Sequence, residues 1–118
     1  ALPISKYDHL FSNPIEQHGA NTAWLAFPIL IKKEAPFSRR QFQIYLEERN
    51  IQTRVVFTGN VLRQPMCNGI EKRTLESGYP NADSIMERGV LLPLHHGLTE
   101  DMFERLHSTI DEFISNHT

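Results

Sequence analysis

The residues of this chain that are best suited to chemistry gather in one stretch. Residues 49–70 contain Arg49, Arg54 and Arg63 and no acidic residue, in a chain whose formal net charge is −2. Amide side chains are interleaved with them at Asn60, Gln64 and Asn68. A guanidinium presents paired N–H donors in a fixed plane, which matches the two oxygens of a carboxylate or two oxygens of a phosphate. Neutral amides beside it add donors and acceptors that orient such a group. The stretch therefore reads as a surface for an anionic small molecule. The same arginines would also serve as solvated partners of Glu47, Glu48 or Glu71, a pairing that contributes little at a surface. Residue types alone leave both readings open.

Other chemistries find less support. Of six histidines, His95 and His96 are adjacent and do not easily point into one site. His9, His18, His107 and His117 are scattered, and no Cys or Asp is spaced to complete a ligand shell, so no metal is expected. His95 and His96 read instead as a strand-to-helix turn. The single cysteine, Cys67, excludes a disulfide within the chain and fits a reducing compartment. No His or Asn stands near it in sequence to activate it, so it reads as a partly buried thiol. No serine elbow, phosphate-binding P-loop or GxGxxG run occurs. Lys32 and Lys33 stand beside Glu34 as a solvated turn, unlike a lysine poised for Schiff-base chemistry. No catalytic residue is assigned.

A chain of 118 residues, 40% hydrophobic and 22% charged, suits one ordinary globular domain. Its small net charge builds no field for nucleic acid or an anionic membrane. No apolar run approaches the ~20 residues of a membrane span, and the longest is interrupted by Pro28. Nothing at the N-terminus reads as a signal peptide, and a cytoplasmic location is expected. The start at Ala1 fits either removal of an initiator or excision from a longer chain.

Residues 1–21 are polar and punctuated by Pro3, Asn13, Pro14 and Gly19, and read as an irregular lead-in. Residues 22–118 carry the domain. Residues 22–31 form the best strand, with Ala23, Leu25, Phe27, Ile29 and Ile31 on one face and Trp24, Ala26, Pro28 and Leu30 on the other. Pro28 belongs at an edge or bulge. A helix over 38–49 starts with Ser38 as N-cap, Gln41 completing a capping box, and Phe37 and Phe42 as a hydrophobic staple. A second strand over 53–57 turns Thr53, Val55 and Phe57 to the core and Arg54 and Val56 away from it. A loop follows, from 58 to about 78. A short helix over 81–88 is stopped by Gly89 in a left-handed conformation. Residues 90–92 form a third strand, and Thr99 caps a last helix whose buried stripe is Phe103, Leu106, Ile110, Phe113 and Ile114. The predicted class is α+β: a small antiparallel-type sheet of about three strands with helices on one face. Its other face keeps Trp24, Leu30 and Val56, which points to a partner surface.

The ordered runs resemble a known family. Residues 22–29 (Thr-Ala-Trp-Leu-Ala-Phe-Pro-Ile) are similar to the entry strand of the small C-terminal domain in the DegT/DnrJ/EryC1/StrS sugar aminotransferases. Residues 50–65 resemble the family's next strand and active-site loop. Residues 79–83, 91–94 and 97–100 resemble its closing helix, strand and helix. The sequence around Arg54, Asn60, Arg63, Gln64 and Pro65 looks most like the nucleotide 4-keto-6-deoxyhexose 3-dehydrases, where aminotransferase members usually have a His-Tyr-Pro type run. The resemblance implies the C-terminal domain of a type I fold enzyme that uses pyridoxal or pyridoxamine 5'-phosphate. It implies a nucleotide-linked keto sugar as substrate, deoxysugar synthesis for surface polysaccharide as setting, and a homodimer. It also implies a large N-terminal domain that holds the cofactor, so that this part alone is inactive. Arg54 and Asn60, then Arg63 and Gln64, are the expected substrate or cofactor contacts, with Phe57 filling the core and Gly59 permitting a tight turn. The alternatives are the same domain of an aminotransferase, or a free-standing ligand-binding or regulatory module.

Overall fold

The computed structural model describes residues 3–118. Its helices begin where local chemistry places them. In α1 (Arg39–Glu47), the Ser38 hydroxyl accepts from the Gln41 N–H at 3.2 Å, and Gln41 Oε1 accepts from the Ser38 N–H at 2.8 Å. This reciprocal pair satisfies two amides that a helix start otherwise leaves open. The Phe37 and Phe42 rings stack at 6.2 Å, as a staple requires. In α3 (Glu100–His117), the Thr99 hydroxyl accepts from the Met102 N–H, and Glu100 and Asp101 occupy the first turn, where the helix dipole favours them. Leu106, Ile110, Phe113 and Ile114 of α3 are buried. Phe103, expected in that stripe, is only half-buried.

The sheet has four antiparallel strands in the order β1-β2-β4-β3. They are β1 (Phe11–Ser12), β2 (Phe27–Ile31), β3 (Arg54–Val55) and β4 (Gly89–Leu92). Phe27 faces Leu92, Ile29 faces Val90 and Phe11 faces Ile31 across the ladders. These residues share one side, and Phe11, Ile29, Ile31, Val90 and Leu92 are buried there with Phe42 and Leu46 of α1 and the apolar stripe of α3. A third helix, α2 (Pro80–Arg88), has Pro at its first position and packs against β2 and β4.

Several expectations are corrected. The sheet has four strands because residues before 22, read as irregular, supply one. A 3-10 turn at Pro3–Tyr7 precedes β1, and Ile4, Leu10 and Phe11 enter the core. Asp111 of α3 fixes this segment by accepting from Lys6 Nζ at 2.7 Å and the Tyr7 hydroxyl at 2.8 Å. The strand over 22–31 shortens to Phe27–Ile31. Pro28 lies beyond the reach of β1, which pairs only with Leu30 and Ile31, in keeping with its missing N–H. Trp24 does not join Leu30 on the second face. It meets Phe27 edge-on at 6.3 Å and lies with Phe103 and His107 of α3 around one cleft.

The strand over 53–57 keeps only Arg54 and Val55. Thr53 is buried by other means: its N–H and hydroxyl both donate to Glu47, at 2.6 and 3.0 Å. After Val55 the chain turns sharply, the Phe57 N–H donating to Val55 O at 2.9 Å. Phe57 therefore does not fill the core; it is 81% exposed, with φ 48°. Gly89 is not left-handed either. It is extended, at φ −77° and ψ 137°, and opens β4. A Cβ there would stand 2.6 Å from Ile85 O and 2.9 Å from Val56 Cγ2. Its glycine is required for close packing and not for a turn.

Candidate functional site

The β3–β4 ladder sets the direction of the first candidate. Val55 pairs with Val90, whose side chain is in the core, so Arg54, paired with Leu91, points to the opposite side. There it lines a cleft of about 350 Å³ with Leu25, Gln52, Phe57, Leu94 and His95. Arg54 is exposed. Among the described residues its guanidinium makes no ion pair. Leu25 is 90% exposed beside it. A cation without such a pair, framed by exposed apolar groups, suits an anionic ligand that carries an apolar or planar part.

Phe57 also lines a second cleft of about 300 Å³, with Arg39, Thr58, Gly59, Gln64 and Met86. Its ring thus stands between the two. Gln64 donates to Thr58 O at 3.1 Å, and Arg39 donates to Met86 O at 2.5 Å. Gly59 needs its residue type: φ is 63°, and a Cβ would fall 2.3 Å from Met86 Cβ. The expected tight turn is there, and α2 presses directly on it.

Asn60 and Arg63 are turned elsewhere. Asn60 is 6% exposed. Its Oδ1 accepts from the Leu62 N–H at 3.1 Å, and its Nδ2 donates to Asp83 Oδ1 at 2.7 Å. Arg63 grips the same carboxylate with Nε and a terminal nitrogen, each at 2.9 Å. The Arg63 hydrogen bonds, aided by Asn60, pull the Asp83 carboxyl down to about 2. Of the four candidates, Arg54 and Gln64 face clefts, whereas Asn60 and Arg63 hold the loop to α2. The surface-pairing alternative applies to Arg63, with Asp83 as partner and not Glu47, Glu48 or Glu71. Arg49 is also removed from the anion surface. Its guanidinium lies 3.4 Å from the centre of the Tyr45 ring and 3.7 Å from Glu112.

Two residues escaped the sequence reading. Asp83 sits in the first turn of α2, where an acid is favoured by the helix dipole alone, and that ordinary role hid the second one. Arg39, at the first position of α1, lies outside the arginine-rich stretch and carries no local signal of its place beside the second cleft. No lysine lines either cleft. Lys6 is held by Asp111, Lys32 donates to Asp8 O, and Lys72 donates to Cys67 O. Cys67 is a buried free thiol. Neither of these two clefts therefore presents a lysine amine for Schiff-base chemistry.

Comparison with known proteins agrees with this architecture. A dTDP-4-dehydro-2,6-dideoxy-D-glucose 3-dehydratase of Saccharopolyspora spinosa is 29% identical over 102 residues, which are 86% of this chain and 22% of that protein. The lipopolysaccharide biosynthesis protein RfbH of Salmonella typhimurium is 30% identical over 94 residues, 80% of this chain and 21% of that protein. The chain therefore spans about a fifth of the length of these curated relatives. Among solved structures, the E. coli GDP-4-keto-6-deoxy-D-mannose 3-dehydratase with bound hydrated PLP superposes with TM-score 0.75 at 21% identity, over 90% of this chain and 27% of that one. A Brucella abortus aminotransferase superposes equally well, with TM-score 0.75 at 18% identity, over 93% of this chain and 28% of that one. The α+β layer is thus shared with one part of those larger folds. The sequence profile of the DegT/DnrJ/EryC1/StrS aminotransferase family matches residues 6–111, and the chain belongs to that family.

Proposed function

We propose that this chain is the C-terminal small domain of an enzyme that uses pyridoxal or pyridoxamine 5'-phosphate to remove the C3 hydroxyl of a nucleotide-linked 4-keto-6-deoxyhexose. The setting is cytoplasmic deoxysugar synthesis for surface polysaccharide. The observation that carries the reading is the pair of curated relatives. One is named as a sugar 3-dehydratase and the other as a lipopolysaccharide biosynthesis protein, and most of this chain aligns with about a fifth of each. The cofactor, held by a large N-terminal domain, supplies the electron sink for the bond-breaking chemistry. This chain supplies one wall of the cleft: Arg54 orients an anionic group of the nucleotide, and Phe57 and Leu25 exclude water beside it. The domain alone is inactive in this reading, and the full enzyme is a homodimer.

An aminotransferase remains the second reading, because solved aminotransferases share the fold to the same degree as the dehydratase. A free-standing module is disfavoured by the exposure of Leu25 and Phe57 around the cleft, which suits a surface that another part of a protein covers.

The test uses the full-length polypeptide that carries this chain, with pyridoxamine phosphate and CDP-, GDP- or dTDP-linked 4-keto-6-deoxyhexoses. Loss of the C3 hydroxyl, read by mass spectrometry, is the expected result. Gain of an amine with the hydroxyl retained selects the aminotransferase, and no conversion of any of them overturns both. Arg54→Ala is expected to lower kcat/KM roughly 10- to 100-fold, the loss of one charge-assisted contact, with an unchanged melting temperature. Unchanged kinetics would remove Arg54 from the site.

A further inference from the structure

We infer that Asp83 is a positioning residue: it clamps residues 59–63 to α2 and so fixes Phe57, which the substrate cleft shares with the second cleft, and Gln64 beside it. This deepens the nucleotide-sugar reading and rests on it.

The loop has little apolar anchorage of its own. Val61 and Met66 are exposed, and only Asn60 and Cys67 are buried. Its two 3-10 turns, Val61–Arg63 and Pro65–Cys67, close only local hydrogen bonds. What ties it to the rest of the fold is one face of α2. Asp83 takes three donors, one from Asn60 and two from Arg63. Met86, three residues on and therefore on the same helix face, packs against Gly59. The clamped segment thus runs from Gly59 to Arg63. Phe57 precedes it by two residues and lines both clefts, and Gln64 follows at once and lines the second. Fixing the segment fixes its ends.

The chemistry of position 83 is specific. Asn60 Nδ2 and the Arg63 guanidinium all donate, so the group between them must only accept. An ionised carboxylate does so with both oxygens. An amide in its place turns an NH₂ toward one of these donors and leaves a donor facing a donor. The helix that carries Asp83 is itself fixed, because it packs against β2 and β4 and runs directly into β4 through Gly89. The clamp therefore refers the loop to the sheet and not to another mobile part.

The experiment is hydrogen exchange and steady-state kinetics on the full-length protein with Asp83→Asn. The amides of Leu62, Arg63 and Gln64, which are bonded to Asn60 and Val61, are expected to exchange about tenfold faster with the rest of the domain unchanged. KM for the nucleotide sugar is expected to rise about tenfold and kcat to stay within about twofold, the signature of lost positioning in binding. Asp83→Glu, which keeps the acceptor, is expected to recover most of both effects. Should Asp83→Asn fail to fold, Arg63→Gln removes the same grip and carries the same expectations. Unchanged exchange and KM overturn the inference. So does a parallel loss of kcat and melting temperature that Asp83→Glu does not rescue, since that is a purely structural role. Faster loop exchange in a protein that converts no nucleotide sugar supports the clamp and overturns the substrate reading of the cleft.

Discussion

The helix-covered face of the sheet and the loop wall at its edge are held by different physics. On the helix side, the Phe113 ring meets Phe37, Phe42 and Tyr45 with centroids 4.8, 5.2 and 5.1 Å away. Many weak, non-directional contacts sum there, and no single polar atom decides the geometry. On the loop side, one carboxylate and three donors set the course of the chain. Such contacts are few and directional, and they answer to charge. Loosening of the loop wall is therefore expected to leave the fold that supports it intact.

Three measurements would break or sharpen this contrast. The largest effect belongs to the aromatic side: Phe113→Ala, at a fully buried position, is expected to cost about 3–5 kcal/mol of stability, read by chemical denaturation. A loss under about 1 kcal/mol would mean that the core is not organised around that ring. Gly59→Ala comes next. With φ at 63° and Met86 2.3 Å from the new Cβ, a cost of about 1–3 kcal/mol is expected, with the extra exchange confined to the loop. Equal loosening of α1 and α3 would show that the two regions are not separable.

The smallest effect is a pH dependence. The Asp83 carboxyl is lowered from its ordinary 3.8 to about 2 in the folded chain. A depressed carboxyl stabilises the fold fully above its unfolded value and loses that contribution as pH falls through the folded one. Loop protection, corrected for intrinsic exchange, should thus fall between about pH 4 and 2, before the near-ultraviolet circular dichroism of the aromatic core changes. Simultaneous loss of both would remove the distinction.

The same contrast separates what was legible in the sequence from what was not. Helices α1 and α3 announce themselves because Ser38, Gln41 and Thr99 act on neighbours three residues away, and because their apolar stripes repeat. Strand β1 is two residues long and has no period to read. An alternation extended over five residues turns Phe57 inward, but the ladder that enforces alternation lasts for two. Arg54 falls within that ladder, and its outward direction was readable. Asn60 and Arg63 are expected at the ligand, but they meet Asp83, which lies 23 and 20 residues away, a separation that no local pattern encodes. A glycine after a helix suggests a left-handed cap, whereas at Gly89 the approach of Val56 and Ile85 is what demands it.

The two strands that flank the sheet, β1 and β3, are each only two residues long. Neither offers a continuous row of unpaired backbone groups on which a foreign strand could grow. Strand addition at either outer strand therefore has only two residues of ladder to build on. A surface that docks over Leu25 and Phe57, as the proposed reading has it, would then be read chiefly by shape and charge of side chains.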